Sequence, residues 1–138
     1  MNKLPSDREI LKCIYDTYKS DYPGPMDANG RGANDPHMLV DLKDIARRLD
    51  CTPELLFGRL YYHLDAKYRY KQDNGAQVEL FFLNFQNKGP AVRFPFLASI
   101  LAGFEEEHRK LFWSMVFSIT ALIVSLISLV VNVVTKLK

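Results

Sequence analysis

The sequence predicts an α+β protein that is mostly α-helical, with a small N-terminal domain followed by one long C-terminal transmembrane helix. Three observations lead to this prediction. Apolar residues recur at helical spacing in several stretches between residues 7 and 68. An Asn-Gly pair between two strand-like segments indicates a β-hairpin. The 25 positions from Leu111 to Thr135 hold no charged residue.

The uncharged C-terminal run is long enough to cross a bilayer. A bilayer core needs about 20 mostly apolar residues in a helix, and residues 112–134 include 14 Leu, Ile, Val or Phe. At roughly −0.3 to −0.6 kcal/mol each, these side chains contribute about −4 to −8 kcal/mol to insertion. The alternative is a core helix of a soluble bundle, but a chain of 138 residues has little other surface to cover it. We therefore expect a transmembrane helix at residues 112–135.

The lack of a signal peptide, the short tail after the span and the cysteine usage favour a single-pass membrane protein whose N-terminal domain lies in the cytosol. Residues 1–110 carry 16 basic and 16 acidic side chains, so the domain has no general attraction for nucleic acid or anionic lipid. The first fifteen residues lack the apolar core of a signal peptide, and few residues follow the span, as in a tail-anchored protein. Cys13 and Cys51 have no metal-site spacing and suit a reducing compartment.

The N-terminal domain begins with a predicted helix at residues 7–20, where Ile10, Ile14 and Tyr18 recur at four-residue spacing. Ser6 or Asp7 is expected to cap it. Residues 21–36 hold three Gly and three Pro, which indicates a mobile loop. The short apolar run at residues 37–40 is expected to form one strand.

Two further helices are predicted from their caps. Asp41 is expected to accept hydrogen bonds from the free amides of the helix that follows it and ends near Asp50. Thr52 is expected to cap the third helix, with Pro53 at the first helical position, where a missing N–H costs nothing. The inward stripe of the third helix is predicted from apolar residues at helical spacing: Phe57, Leu60, Leu64 and Tyr68.

A hairpin is predicted after the third helix, with strands at residues 68–72 and 76–83. Asn74-Gly75 between them is typical of a type I′ turn, which needs two positive-φ residues. Residues 84–90 are expected to be a polar connector.

The order helix, strand, helix, tight turn, helix and hairpin, over residues 7–85, resembles the winged helix-turn-helix superfamily. The likeness is carried by residues 39–49, residues 52–56 and the Asn74-Gly75 hairpin, which would be the wing. The resemblance implies a winged-helix-like domain at residues 1–88. Winged helices serve both as DNA readers and as protein-docking modules, so the resemblance does not decide the function.

The third helix and the wing form the first candidate site. In DNA-binding members of the superfamily this helix lies in the major groove. The residues expected to bind nucleic acid or a protein partner are Arg59, Tyr62, His63, Lys67, Arg69 and Lys71. Residues 42–72 carry seven basic and four acidic side chains, a small excess beside the roughly six to ten phosphate contacts of a strong binder. DNA binding, protein docking and an ordinary solvated face all stay open.

The transmembrane segment contains the second candidate site, a stripe of small or polar residues expected to mediate self-association. Spaced alternately by four and three positions, they are Ser114, Ser118, Ala121, Ser125, Ser128 and Asn132. Small residues let helices approach closely in lipid, and amides or hydroxyls can pair there. The alternative is that such residues are simply tolerated within a span.

The same register continues backward through Leu97, which predicts one long helix at residues 96–136, with residues 89–111 as its juxtamembrane part. A competing interpretation places residues 93–104 on the membrane surface as an amphipathic segment.

Catalysis is not expected, because the three histidines fall in separate elements and no catalytic or phosphate-binding motif is present. We expect no metal, no cofactor and no small-molecule substrate. The leading hypothesis is a membrane-anchored interaction module that docks a cytosolic protein partner and forms a homo-oligomer through its span in the lipid bilayer. The alternative is a membrane-tethered protein that binds duplex DNA, as a regulator or DNA tether. A weaker one is an effector whose oligomerised spans perturb the membrane.

Overall fold

The structure, a computed structural model, describes residues 4–23 and 35–137 of the chain. It is an α+β structure made mostly of helix, and it divides into two units, Met1–Leu101 and Ala102–Lys138. The first unit holds all the strands described. The second unit belongs to a single long helix.

The first helix, α1 (Asp7–Tyr18), begins where its cap predicts. The Ser6 hydroxyl accepts from the Glu9 N–H at 3.3 Å, and the Glu9 carboxylate accepts from the Ser6 N–H at 2.8 Å. This reciprocal capping box satisfies two amides that the helix leaves unpaired. The helix ends two residues earlier than predicted. Most of the expected loop at residues 21–36 lies in segment 24–34, outside the described residues.

The caps of the next two helices are also confirmed. Strand β1 (His37–Leu39) leads to α2 (Leu42–Arg48), where the Asp41 carboxylate accepts from the Lys43 N–H at 2.9 Å. The Tyr18 hydroxyl accepts from the Asp41 N–H at 2.8 Å, which ties α1 to the start of α2. After a turn at Asp50, whose φ is 53°, Thr52 caps the third helix and Pro53 is its first residue.

The third helix is not a regular α-helix. It runs as α3 (Pro53–Gly58), a π-helical stretch (Arg59–Asp65) and α4 (Ala66–Tyr68). Leu60 and Leu64 are fully buried, as the predicted stripe requires, whereas Phe57 and Tyr68 are only half-buried. The wider π-helical turn changes which side chains share a face, because its hydrogen bonds join residues five apart.

The hairpin of β2 (Tyr70–Lys71) and β3 (Gln77–Val78) is antiparallel and shorter than predicted. The predicted type I′ turn is wrong, because only Gly75, at φ 83°, and not Asn74, has a positive φ. The Gln72 N–H donates to the Ala76 carbonyl at 2.8 Å, which closes a loop of three residues, 73–75, and the Gly75 N–H donates to the Gln72 carbonyl at 2.9 Å. The Asn74 side chain accepts from the Ala76 N–H at 2.9 Å, a local bond that favours this loop.

The predicted single strand at residues 76–83 is also wrong, because it breaks into two strands in different sheets. After β3, β4 (Phe81–Phe82) pairs with β5 (Ala91–Arg93), which in turn pairs with β1, so the second sheet has the order β1-β5-β4. Within the connector, Gln86 and Asn87 adopt positive φ and reverse the chain. β5 occupies part of the segment predicted as juxtamembrane helix, which therefore begins only at Phe94.

The core of the first unit draws on its helices and both sheets. Its largest fully buried side chains are Ile10, Leu11, Ile14, Ile45, Leu56, Leu60, Leu64, Leu80, Phe81, Val92 and Leu97. Aromatic stacking adds to this core, because the Phe94 ring lies 5.5 Å from Tyr15 and 4.8 Å from Tyr22. The stacking of Tyr15 on Phe94 therefore holds helix α1 against the start of the last helix.

The last helix, α5 (Phe94–Lys136), is continuous over 43 residues. By length and composition it can cross a membrane, and none of its most apolar window is buried, unlike a core helix of a soluble bundle. Its first two turns belong to the domain core, since Phe94, Leu97 and Leu101 are buried. The interpretation that residues 93–104 lie on a membrane surface is therefore wrong.

Candidate partner-binding surface

The six residues expected to bind a partner lie on the third helix and on the hairpin strand that follows it. Arg59, Tyr62 and His63 belong to the π-helical stretch, and Lys67 belongs to α4. Arg69 is the cap residue that follows α4, and Lys71 is exposed on β2. The other five residues have three different environments.

Three of the basic residues converge on a single carboxylate, that of Asp7. An Arg59 Nη donates to one oxygen of Asp7, while His63 Nε2 lies 3.1 Å and Lys67 Nζ 3.7 Å from the other oxygen. The Asp7 side chain is 14% exposed. Asp7, Arg59, His63 and Lys67 are called the Asp7 cluster below. Its acid and its bases come from elements more than fifty positions apart in the chain.

The Asp7 cluster forms because Ser6, and not Asp7, is the cap of α1. Asp7 is the first residue of the helix, where a negative charge is favoured by the helix dipole, and its side chain is left to pair with the third helix. From the sequence, Asp7 was expected only as a possible cap. A signal was nevertheless present, since an acidic residue not needed for capping is available to pair with basic side chains.

Arg59 is not fully satisfied within the Asp7 cluster. The side chain is 31% exposed and bonds to Asp7 through one Nη, but its Nε is buried without a hydrogen-bond partner. Arginine often binds carboxylates through two parallel N–H donors. Arg59 therefore has donor capacity that Asp7 does not use.

Arg69 pairs with a different carboxylate, that of the buried residue Asp65. The distance from Arg69 Nη2 to Asp65 Oδ2 is 3.0 Å. The other oxygen of Asp65 accepts from the backbone N–H of Leu80 at 2.8 Å and of Phe81 at 3.2 Å. Arg69 thus belongs to a structural contact between the third helix and β4, and four of the six expected binding residues contact a carboxylate within the chain.

Tyr62, by contrast, is 73% exposed at the edge of an aromatic group that sequence analysis did not anticipate. The Phe57 and Tyr61 rings are stacked, with centroids 5.5 Å apart, and the Tyr62 ring stands nearly perpendicular to both. Phe57 also contacts the buried Phe81. Phe57, Tyr61 and Tyr62 are called the aromatic patch below. It lies beside the Asp7 cluster in sequence, because Tyr62 immediately precedes His63.

The histidines do not form a common site. His37 lies against the Phe82 and Phe85 rings, with its Nδ1 2.7 Å from the Asp35 carboxylate, and His63 belongs to the Asp7 cluster. Within residues 4–23 and 35–137, no three His, Cys, Asp or Glu side chains are placed to hold a metal ion. Cys13 and Cys51 are free and half-buried, and burial raises the pKa of both thiols.

The stripe in the second unit lies on exposed helix. The Ser118 hydroxyl donates to the Ser114 carbonyl at 2.9 Å, as the Thr120 hydroxyl does to that of Val116 at 2.8 Å. Such hydroxyls are satisfied within their own helix and need no partner helix. We therefore expect Asn132 to contribute more to self-association than the serines do. Its side chain is exposed, and an amide is costly to leave unpaired in hydrocarbon.

No protein-family model matches the chain, and neither does any curated protein or solved structure compared with it.

Proposed function

We propose that this protein is a membrane-anchored interaction module. Its winged-helix-like domain docks a cytosolic protein partner through the third helix, and its C-terminal helix crosses the membrane and self-associates. The single observation that carries the docking role is the aromatic patch, where the Tyr62 ring is 73% exposed and the rings behind it are held by mutual stacking.

The aromatic patch has the chemistry of a protein–protein hot spot. Tyr, Trp and Arg are enriched at such positions, because they offer a large apolar area together with hydrogen-bonding capacity. Phe57 is fixed from beneath by Phe81, so the patch is already ordered before a partner arrives. Preorganised side chains lose less conformational entropy on binding, which favours affinity.

The charges on the third helix support protein docking over DNA binding. Arg59, His63 and Lys67 share one carboxylate, and Arg69 pairs with another. A DNA-binding surface needs several cations to contact a row of phosphates. Cations already paired within the chain would have to give up these contacts first, which weakens the DNA alternative without affecting the aromatic patch.

The helix α5 supports the anchoring role. From Leu111 to Thr135 it holds 25 uncharged residues, a length of roughly 37 Å at 1.5 Å per residue, which exceeds a bilayer core of about 30 Å. Trp113 stands near the start of this run with its ring 6.1 Å from that of Phe117, and aromatic side chains favour the membrane interface. The free thiols of Cys13 and Cys51 are compatible with a cytosolic domain.

A photo-crosslinking experiment tests the docking role. A benzophenone amino acid replaces Tyr62 in the full chain expressed in cells, and the matched control carries it at Tyr70, which is 49% exposed on the hairpin. We expect a discrete protein adduct at position 62 that is absent at position 70. Identical adducts at both positions, or none at position 62, would contradict the docking role.

A second measurement addresses the DNA alternative. The full chain in detergent is titrated with duplex DNA over a salt series, beside the Arg59→Ala/Lys67→Ala variant. We expect no salt-dependent binding. Micromolar binding that falls steeply with salt and is lost in the variant would instead identify a membrane-tethered DNA-binding protein.

A further inference from the structure

We infer that Arg59, His63 and Lys67 form a carboxylate-binding subsite of the docking surface, and that Asp7 is its internal occupant. The protein partner then presents an acidic side chain that takes the place of the Asp7 carboxylate. This inference rests on the proposed docking function and specifies its chemistry: the partner segment is acidic, with an apolar or aromatic residue beside the acid that contacts Tyr62.

The Asp7 cluster holds more basic groups than its single carboxylate can satisfy. Arg59 and Lys67 bring two positive charges to one carboxylate, and His63 adds a third donor that is charged when protonated. The buried, unpartnered Nε of Arg59 shows that Asp7 alone does not saturate this set of donors. A second carboxylate, or one with freer approach, can engage the guanidinium through two donors.

The position of α1 does not depend on Asp7. The capping box of Ser6 and Glu9 satisfies the start of the helix. Ile10, Leu11 and Ile14, all fully buried, attach α1 to the core. The Asp7 side chain can therefore rotate away from the third helix while α1 stays docked. Asp7 can therefore leave the three basic groups without unfolding α1, as an occupant that a partner displaces must do.

The placement of the charges favours a protein partner over a nucleic acid. The three basic groups gather around one point, and the buried carboxylate of Asp65, between His63 and Lys67 in the sequence, already binds Arg69. This geometry matches one acidic side chain better than an extended row of phosphates. The exposed Tyr62 next to His63 provides the apolar contact that a neighbouring residue of the same peptide needs.

Asp7 acts as a tethered competitor in this arrangement. A partner binds only the fraction of molecules in which the subsite is open, so the apparent affinity is lowered by that fraction. Asp7 is 14% exposed whereas its basic partners are 31–49% exposed, so moving Asp7 aside has a cost that lowers the open fraction. Neutralising Asp7 is expected to raise the affinity for an acidic peptide by about five- to ten-fold.

The test uses the full chain in nanodiscs of uncharged phosphatidylcholine. The probe is the synthetic peptide acetyl-Trp-Glu-Glu-Leu-amide, and its control is the same peptide with Gln in place of Glu. We expect the acidic peptide to bind the wild type weakly, to bind Asp7→Asn about five- to ten-fold more tightly, and to lose binding in Arg59→Gln and in the more exposed Lys67→Gln. The neutral peptide is expected to bind none of them.

Two results would overturn the inference. The first is equal affinity of the acidic peptide for Asp7→Asn and the wild type, with the α1 amides equally protected from hydrogen exchange in both. The second result is decisive even if Asp7→Asn disturbs α1. In the wild type, saturating acidic peptide must shift the Arg59 Nε–H resonance, and an unmoved resonance refutes the subsite. Tighter binding of duplex DNA than of the peptide to Asp7→Asn would overturn the assignment to a protein.

The failure of the subsite is distinguishable from failure of the docking role. If the Tyr62 photo-adduct persists in Arg59→Gln and Lys67→Gln, the aromatic patch docks its partner without the Asp7 cluster. If no adduct forms at position 62 in any background, the docking role itself fails.

Discussion

The carboxylate of Asp65 accepts the backbone N–H of Leu80 at 2.8 Å, a side-chain contact that links the third helix to the segment between β3 and β4. The same oxygen accepts from Phe81 at 3.2 Å, and Arg69 neutralises the other oxygen. Asp65 is 3% exposed. One side chain therefore satisfies two amides where the strand predicted from the sequence breaks, and it fixes the helix that carries the aromatic patch.

Removing the Asp65 carboxylate is expected to destabilise the first unit strongly. In Asp65→Ala the N–H groups of Leu80 and Phe81 lose their acceptor while buried, at a cost of roughly 1–3 kcal/mol each. We expect the free energy of unfolding to fall by about 3 kcal/mol in total. Pulse proteolysis of the full chain in detergent across a urea series measures this change.

Asp65→Asn is the matched control, because its amide oxygen still accepts from the two backbone groups and only the charge that pairs with Arg69 is lost. A loss smaller than half of that in Asp65→Ala is expected. Equal loss in both variants would show that the Arg69 ion pair, and not the two backbone hydrogen bonds, dominates.

Two glycines are expected to respond to alanine in opposite directions. Gly58 has helical φ −57° and ψ −42° with no atom within 4 Å of an added Cβ, so Gly58→Ala is expected to raise the free energy of unfolding by about 0.4–1 kcal/mol through the unfolded chain. Gly75 is equally open but has φ 83°, so Gly75→Ala is expected to cost roughly 1–2 kcal/mol in backbone strain.

The same urea series compares the two glycine variants, and hydrogen exchange locates the effect. Faster exchange in Gly75→Ala is expected to be confined to the hairpin of β2 and β3. Stabilisation by both substitutions would mean that the hairpin loop relaxes to accommodate a side chain at position 75.

The two thiols are expected to react slowly at pH 8. Burial raises the pKa of Cys13, with the Thr17 hydrogen bond opposing it, and burial together with the Asp50 charge raises the pKa of Cys51. The thiolate is the reactive form, so both residues hold less of it at pH 8 than an unperturbed thiol. Alkylation by N-ethylmaleimide, read by mass spectrometry, is expected to be slower than for the urea-unfolded chain and to keep accelerating above the unfolded pKa.

The raised pKa values of the two thiols also predict how the free energy of unfolding changes with pH. A thiol whose pKa is higher in the folded state than in the unfolded state favours folding only below the unfolded pKa. The free energy of unfolding is therefore expected to decline as pH rises through the folded pKa of Cys13, and Cys13→Ser is expected to reduce that decline. A folded protein that alkylates as fast as the unfolded chain at pH 8 would contradict both expectations.

Hydrogen bonds between residues close in the sequence could be predicted, and contacts between distant residues could not. The caps at Ser6, Asp41 and Thr52 form within three residues of the amides they satisfy, so the sequence alone indicates them. The break between β3 and β4 depends on Asp65, 15 and 16 positions away from its partners, and no periodicity reports such a contact. The short strand β5 could not be predicted either, because three residues are too few to show an alternating apolar pattern.

The same distinction between local and long-range contacts applies to the candidate partner-binding surface. The third helix and its six expected residues could be placed in the sequence, but the partners of those residues could not. Arg59 and Asp7 are 52 positions apart, and only the docking of α1 brings them together. Tyr62 is exposed between the buried Leu60 and Leu64, as a binding residue on the outer face requires, but its packing against Phe57 and Tyr61 was not predicted. Helical spacing therefore identified the right element but not which of its basic side chains are already paired.

Self-association of the C-terminal helix is expected to depend on Asn132 more than on the serines. Ser118 already bonds to its own backbone at 2.9 Å, whereas an amide in hydrocarbon gains from pairing with a second copy, by about 1–2 kcal/mol in model helices. Asn132→Leu with Ser125→Leu is expected to lower the self-association constant by roughly ten-fold, as read by energy transfer between labelled chains in vesicles. Thr120→Leu, a polar residue off the stripe with its hydroxyl satisfied by Val116, is the matched control and is expected to leave energy transfer unchanged. If the control variant loses as much energy transfer as the double variant, general polarity of the helix and not the stripe governs association.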